Sequence, residues 1–175
     1  MTQKPPAKRA CESYVEMTQI VLPSHSNSLG TVFGGQIMAW IDICAGIAAM
    51  RHAREITVTA SMDDLHFHAP VHTGEVVILK AQVNRAFGTS LEVGVRVEAE
   101  NPLTGERRHT SSAYLTFVAL DESGRKVPVP PLIPETEDEI RRYEEAAERR
   151  RVRLERRKAP RNVVVKRREP AQSSR

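Results

Sequence analysis

Cysteine is nearly absent from this chain: there are 2, Cys11 and Cys44. That is no disulfide framework, and it fits a reducing, cytoplasmic setting. Long apolar runs are also missing. No segment approaches the ~20 apolar residues that span a bilayer, so no membrane insertion is expected. The N-terminal run MTQKPPAKRACES holds no apolar core, and no secretory signal is expected. Internal repeats and a nucleotide-binding P-loop are lacking too. His66 and His68 form an H-x-H pair with His72 nearby, a spacing that can bind zinc. No cysteine or carboxylate constellation completes it, so hydrogen-bonded or surface histidines are expected and no metal.

What remains is 175 residues, which suits one domain plus an appendage. Mean hydropathy is −0.41 with 40% hydrophobic residues, as for a soluble chain with a modest core. The formal charge of +4 is local, because arginine concentrates after Arg141. Glu135 to about Lys158 reads as a charged helix, with Ile140, Tyr143, Ala147 and Leu154 as its few apolar positions. Its acidic start and basic end match the helix dipole. The helix and tail have three readings: a solvated helix with a disordered end, packing on a neighbouring subunit, or a patch for nucleic acid or anionic membrane. The last lacks aromatic interleaving, so nucleic acid is not expected.

The body of the chain is β-rich. Ser13 to Leu22 reads as a strand closed by Pro23. Ile56 to Phe67 changes parity near residues 62–64, which suggests a bulge. Glu75 to Ala86 is apolar enough to be covered on both faces. Gly88 marks a hairpin. Ser90 to Glu98 alternates Leu91, Val93, Val95 and Val97 against Glu92, Gly94, Arg96 and Glu98, as in a half-buried antiparallel strand. Arg107 to Leu120 is the last long strand. One apolar helix followed by a run of antiparallel strands is an α+β arrangement.

The stretch from Pro23 to Arg54 organises the rest. From Gly34 its apolar residues point nearly all round a helix, which is the pattern of a buried helix. Asp42 sits in the middle, and a carboxylate there is either structurally paired or kept for chemistry. Gly34 and Gly35 leave the first-turn N–H groups open toward developing negative charge. Arg51, His52 and Arg54 read as last-turn cations complementing the dipole. Cys44 reads as a small buried hydrophobe.

The run Asn27-Ser-Leu-Gly30-Thr-Val-Phe-Gly34-Gly35-Gln-Ile-Met38-Ala-Trp-Ile-Asp42 resembles the signature of hotdog-fold acyl-CoA thioesterases, in their cytosolic acyl-CoA hydrolase branch. Val58-Thr-Ala-Ser-Met-Asp63, Phe67, Pro70, Gly74, Gly88-Thr-Ser90 and Thr116-Phe-Val extend the match. The resemblance implies a hotdog fold: a long central helix wrapped by a curved antiparallel sheet, here with a charged C-terminal helix. It covers residues 12–131 as the hydrolase domain, while residues 1–11 read by composition as a Pro- and Lys-containing, mobile leader. Residues 132–158 are then a Pro-rich connector and charged helix, and 159–175 a basic, disordered tail.

It further implies hydrolysis of a fatty acyl-CoA to free acid and CoA without a cofactor. Asp42 is then the general base or nucleophile and Asn27 its catalytic partner. The Gly35 N–H, beside Gly34, holds the oxyanion. Thr59 and Ser61 share a strand face and line the acyl or pantetheine channel. Thr89 and Ser90 lie near the CoA arm. Arg85, with Arg51, Arg54 and Lys80, is a candidate for the CoA phosphates. Asp63 or Asp64 is expected to be buried and paired. The family pairs two subunits through a continuous sheet, so at least a homodimer is expected, built further into a trimer of dimers. Two alternatives stand: a non-catalytic acyl-CoA-binding regulatory protein, and another hotdog enzyme such as an enoyl-CoA hydratase.

Overall fold

A computed structural model describes residues 5–63 and 65–158. The expectations for residues 1–4, Asp64 and 159–175 lie outside it. The elements run β1 (Lys8–Arg9), β2 (Val15–Ile20), α1 (Gly34–Ala53), β3 (Ile56–Met62), β4 (Val76–Phe87), β5 (Ser90–Glu100), β6 (Arg107–Leu120), β7 (Leu132–Ile133) and α2 (Glu137–Lys158). Five strands form one antiparallel sheet in the order β2-β4-β5-β6-β3. The long strands follow short hairpins, and Gly88 supplies the first of these turns at φ +74, a region that suits glycine.

The curled sheet wraps α1. Ile37, Trp40, Ile41, Cys44, Ala45 and Ala48 pack on Leu79, Leu91, Val93, Leu115 and Phe117, all buried. Removing one such large side chain from water stabilises by about 1.5–3 kcal/mol. This core is the hotdog arrangement expected above. Among the described residues no helix is long and apolar enough to cross a membrane.

Four local expectations are corrected. His52 is no last-turn cation: it is 0% exposed, and its Nε2 meets the Pro130 carbonyl at 2.8 Å. Burial holds its pKa below the usual imidazole value. It shares the sheet-facing side with Ile41, Ala45 and Ala48, which sit three or four residues apart. Residues 8–11, expected in the leader, are tied down. Lys8–Arg9 pairs in parallel with Leu132–Ile133, and Lys8 Nζ donates to the His52 carbonyl at 2.8 Å.

The polar face of β5 does not meet water throughout, because α2 lies over it. Glu92 is fully buried under Arg149 and Arg153. α2 is therefore a docked helix on the outer sheet face, with Ala146 buried and Arg142 bonded to Gln82. Finally, the parity change of β3 comes earlier than residues 62–64. The register slips between Thr59, opposite Phe117, and Ser61, opposite Thr116. Phe117 points into the core and Thr116 does not, so the extra residue Ala60 puts Thr59 and Ser61 on opposite faces.

Candidate active site

α1 begins where its sequence leaves the backbone open. Phe33 is the N-cap and offers no side-chain cap. Gln36 N–H reaches the Phe33 carbonyl at 2.9 Å, while the Gly34 and Gly35 N–H groups have no protein acceptor among the described residues. A Cβ at Gly34 would stand 3.4 Å from the Phe67 ring, and one at Gly35 would meet open space. These two donors, at the positive end of the helix dipole, face a place where an oxyanion can develop.

Asp42 lies on the flank of α1, half-buried, between the sheet-facing residues and the exposed Ala39, Ile43 and Met50. The Thr59 hydroxyl donates to its Oδ1 at 2.7 Å. Among the described residues it has no ion-pair partner, so the structurally paired acid is not what the fold builds. Gly35 and Asp42 are seven positions apart on one helix, a rise of ~10 Å. One copy therefore cannot bring the Gly35 N–H and its own Asp42 to a single carbonyl.

Asn27 belongs to the loop before α1. Its Oδ1 accepts the Leu29 N–H at 2.9 Å, and its Nδ2 donates to Thr31 Oγ1 at 2.9 Å. These bonds fix the turn and hold the side chain in one orientation. His25, from the same loop, stands edge-on to Trp40 with ring centroids 5.1 Å apart.

The other expected residues divide into two groups. Ser61, Thr89 and Ser90 line one cleft of about 470 Å³ on the outer face, away from the Asp42 side of the sheet. Arg85 also faces outward, but its guanidinium lies 4.0 Å over the Tyr143 ring and donates to the Tyr143 carbonyl. Lys80 pairs with Glu98 at 3.2 Å, and Arg51 donates to the Tyr14 carbonyl at 2.5 Å. Packing thus engages these three cations. Cys44 is buried, and burial pushes its thiol up to about 11, which leaves it no nucleophile. Asp63 is paired, with Arg153 Nη1 at 2.5 Å. Among the described residues no group of histidine, cysteine or carboxylate side chains could hold a metal ion.

The arginines of α2 that reach the sheet escaped the sequence reading. The available signal was the four-residue spacing of Arg149 and Arg153 opposite a carboxylate on β5.

Comparison with known proteins now separates the readings. Residues 29–106 match the family model described as the thioesterase superfamily. The uncharacterized acyl-CoA thioester hydrolase YkhA of Bacillus subtilis is 45% identical over 145 residues, covering 82% of this chain and 84% of that protein. A solved apo-hexameric acyl-CoA thioesterase superposes with a TM-score of 0.86 at 42% identity, over 89% of this chain and 100% of the other. An acyl-CoA hydrolase of Staphylococcus aureus, solved with butyryl coenzyme A, coenzyme A and coenzyme A disulfide, gives 0.82 at 38% identity, over 87% and 93%. With a five-stranded sheet curled around one long helix and an acid on that helix, this chain belongs to the thioesterase superfamily, among its hotdog-fold acyl-CoA thioester hydrolases.

Proposed function

We propose that the protein hydrolyses fatty acyl-CoA to free fatty acid and CoA, with Asp42 as the reacting carboxylate. The observation that carries this is the state of Asp42: half-buried, unpaired by any cation among the described residues, and aimed by the Thr59 hydroxyl. Its free oxygen takes a proton from water as the water oxygen attacks the thioester carbonyl, or it attacks that carbonyl directly. The carbonyl oxygen becomes an oxyanion held by the Gly35 N–H, a contribution of about 3 kcal/mol per donor. Collapse breaks the C–S bond, and the CoA thiolate leaves and is protonated. In the direct route, water then hydrolyses the acyl–Asp42 anhydride. Asn27 presents its amide to the water or to the thioester oxygen, and no cofactor takes part.

The ~10 Å between Gly35 and Asp42 along the helix makes this a site shared by two copies. Exposed Met38, Ile43 and Met50 on α1, with Ile56 and Val58 on the unpaired edge strand β3, supply an apolar, strand-pairing surface for the second copy. A trimer of such dimers agrees with the hexameric relative. The Staphylococcus aureus enzyme was also solved with a single aspartate, a single threonine and a single asparagine each replaced by alanine. Those are the residue types of Asp42, Thr59 and Asn27. Two free cysteines support a cytoplasmic setting.

The test is thiol release from a series of CoA esters of increasing chain length, with Asp42→Asn alongside. Turnover by the parent and a loss of at least ~100-fold in the variant, with assembly intact, is the expected result. Near-normal turnover by Asp42→Asn removes that residue from the mechanism. Tight acyl-CoA binding without turnover by the parent turns the reading to a regulatory binder.

A further inference from the structure

His25 takes no part in the chemistry proposed above, yet the loop before α1 is built on it. It ends the short 3-10 turn Pro23–His25. Its ring turns back to the start of that turn, where the Leu22 N–H donates to Nδ1 at 3.2 Å. The His25 N–H donates in return to the Leu22 carbonyl at 2.9 Å. Nδ1 is therefore an acceptor, and the neutral ring carries its hydrogen on Nε2. The footing of the turn is firm. The Val21 N–H donates to the Glu75 carbonyl at 2.9 Å, and the Gly74 N–H to the Val21 carbonyl at 2.8 Å.

From His25 onward the chain folds back on itself. The His25 carbonyl accepts the Phe33 N–H at 2.9 Å, Ser26 and Val32 form an antiparallel bridge, and the Asn27 N–H donates to the Thr31 carbonyl at 2.8 Å. This ladder sets His25 opposite Phe33, the N-cap of α1, with Gly34 next in the chain. Asn27 stands two residues along one arm, and the open N–H groups of Gly34 and Gly35 follow the other. The imidazole itself lies edge-on to Trp40, a buried residue of α1 two positions before Asp42. No hydrogen bond joins His25 to the Asn27 side chain among the described residues; that side chain is held by Leu29 and Thr31. The influence of His25 on Asn27 therefore runs through the backbone.

We infer that His25 is a positioning residue for the hydrolysis. With its Nδ1 acceptor as the principal tie, it fixes where Asn27 stands relative to the first turn of α1. A misplacement of ~1 Å at a reacting centre can cost about a hundredfold in rate. The inference deepens the acyl-CoA reading above and rests on Asn27 acting in that site.

The experiment uses the full-length, assembled enzyme and compares His25→Ala with His25→Asn. Asparagine keeps an acceptor near the place of Nδ1 and carries no titratable group. In His25→Ala the expected kcat is about tenfold to a hundredfold lower with KM within about twofold of the parent, and in His25→Asn kcat returns to within about threefold. Equal losses in the two variants make His25 a proton carrier or a mere packing residue and overturn the inference, as does a parental kcat in His25→Ala. The double variant with Asn27→Ala is expected to be no slower than Asn27→Ala alone; additive losses separate the two residues and overturn it as well. His25→Phe, which keeps a ring on Trp40 and lacks the acceptor, repeats the comparison should His25→Ala fold poorly. Near-parental turnover of Asn27→Ala sinks the role proposed for Asn27. A crystal structure of His25→Ala still decides the placing: a shifted Asn27 supports it and an unmoved one refutes it.

Discussion

Arg149 Nη2 donates to the Oε1 of Glu92 at 2.7 Å, and the same guanidinium lies 3.7 Å over the Tyr114 ring. Glu92 is 0% exposed, and Arg153 holds its other oxygen at 2.9 Å. The outer helix is thus fastened by a buried carboxylate clasped from two successive turns.

Replacing Arg149 by alanine removes one partner and leaves much of the Glu92 charge uncompensated. The expected cost is about 3 kcal/mol, and α2 becomes the first segment cut by protease. Thermal melting and limited proteolysis read both effects. An unshifted melting temperature would show that Arg153 and Asn84, whose Nδ2 donates to Glu92 Oε1 at 3.2 Å, suffice for Glu92.

Thr59→Val keeps the shape of the side chain and deletes the hydroxyl that orients Asp42. The net worth of such a bond to a charged group is about 1.5–3 kcal/mol, so kcat falls about tenfold to a hundredfold. The loss belongs in kcat more than KM, because the hydroxyl acts through the acid. An equal rise in KM with unaltered kcat would assign Thr59 to substrate binding instead.

Two inactive variants should restore each other. Gly35→Pro removes the proposed oxyanion donor at a first-turn helix position where proline is tolerated, and Asp42→Asn removes the proposed acid. If each site takes Gly35 from one copy and Asp42 from another, each mixed two-fold dimer keeps one intact site of two and regains about half of parental turnover. Co-expression of differently tagged chains measures this. Silence in the mixed species would confine the site to a single chain.

Stability should fall with acid through His52. Burial holds its folded pKa below the unfolded value of ~6.5, so between those two values the unfolded chain binds more protons. The contribution is present above pH ~6.5 and is lost as pH falls below it, at up to about 1.4 kcal/mol per pH unit. His52→Gln keeps a neutral donor toward the Pro130 carbonyl and should flatten that part of the curve. His109, whose pKa burial also lowers, retains a smaller slope of the same sign.

The sheet and α1 were legible because their periodicities are strong and their turns carry glycine or proline. Asp42 and the open helix start were legible for the same reason, since an acid and two glycines stand out in an apolar run. The outer face was not. α2 has too few apolar residues to announce a docked helix, and it docks through arginines that look solvated one at a time. The Lys8–Arg9 strand was hidden because its partner, Leu132–Ile133, lies at the other end of the domain. His52 could have been placed, since it continues the four-residue spacing of Ala48.

The extra residue at Ala60 lets one edge strand serve two compartments. Up to Thr59 the strand faces Asp42; at Ser61 it lines the arginine-bordered cleft. Neighbours two apart on an ordinary strand would compete for the same space, but here they are partitioned by backbone. Substitutions lining one compartment can therefore accumulate without crowding the other, so the two faces of this edge strand are free to diverge separately.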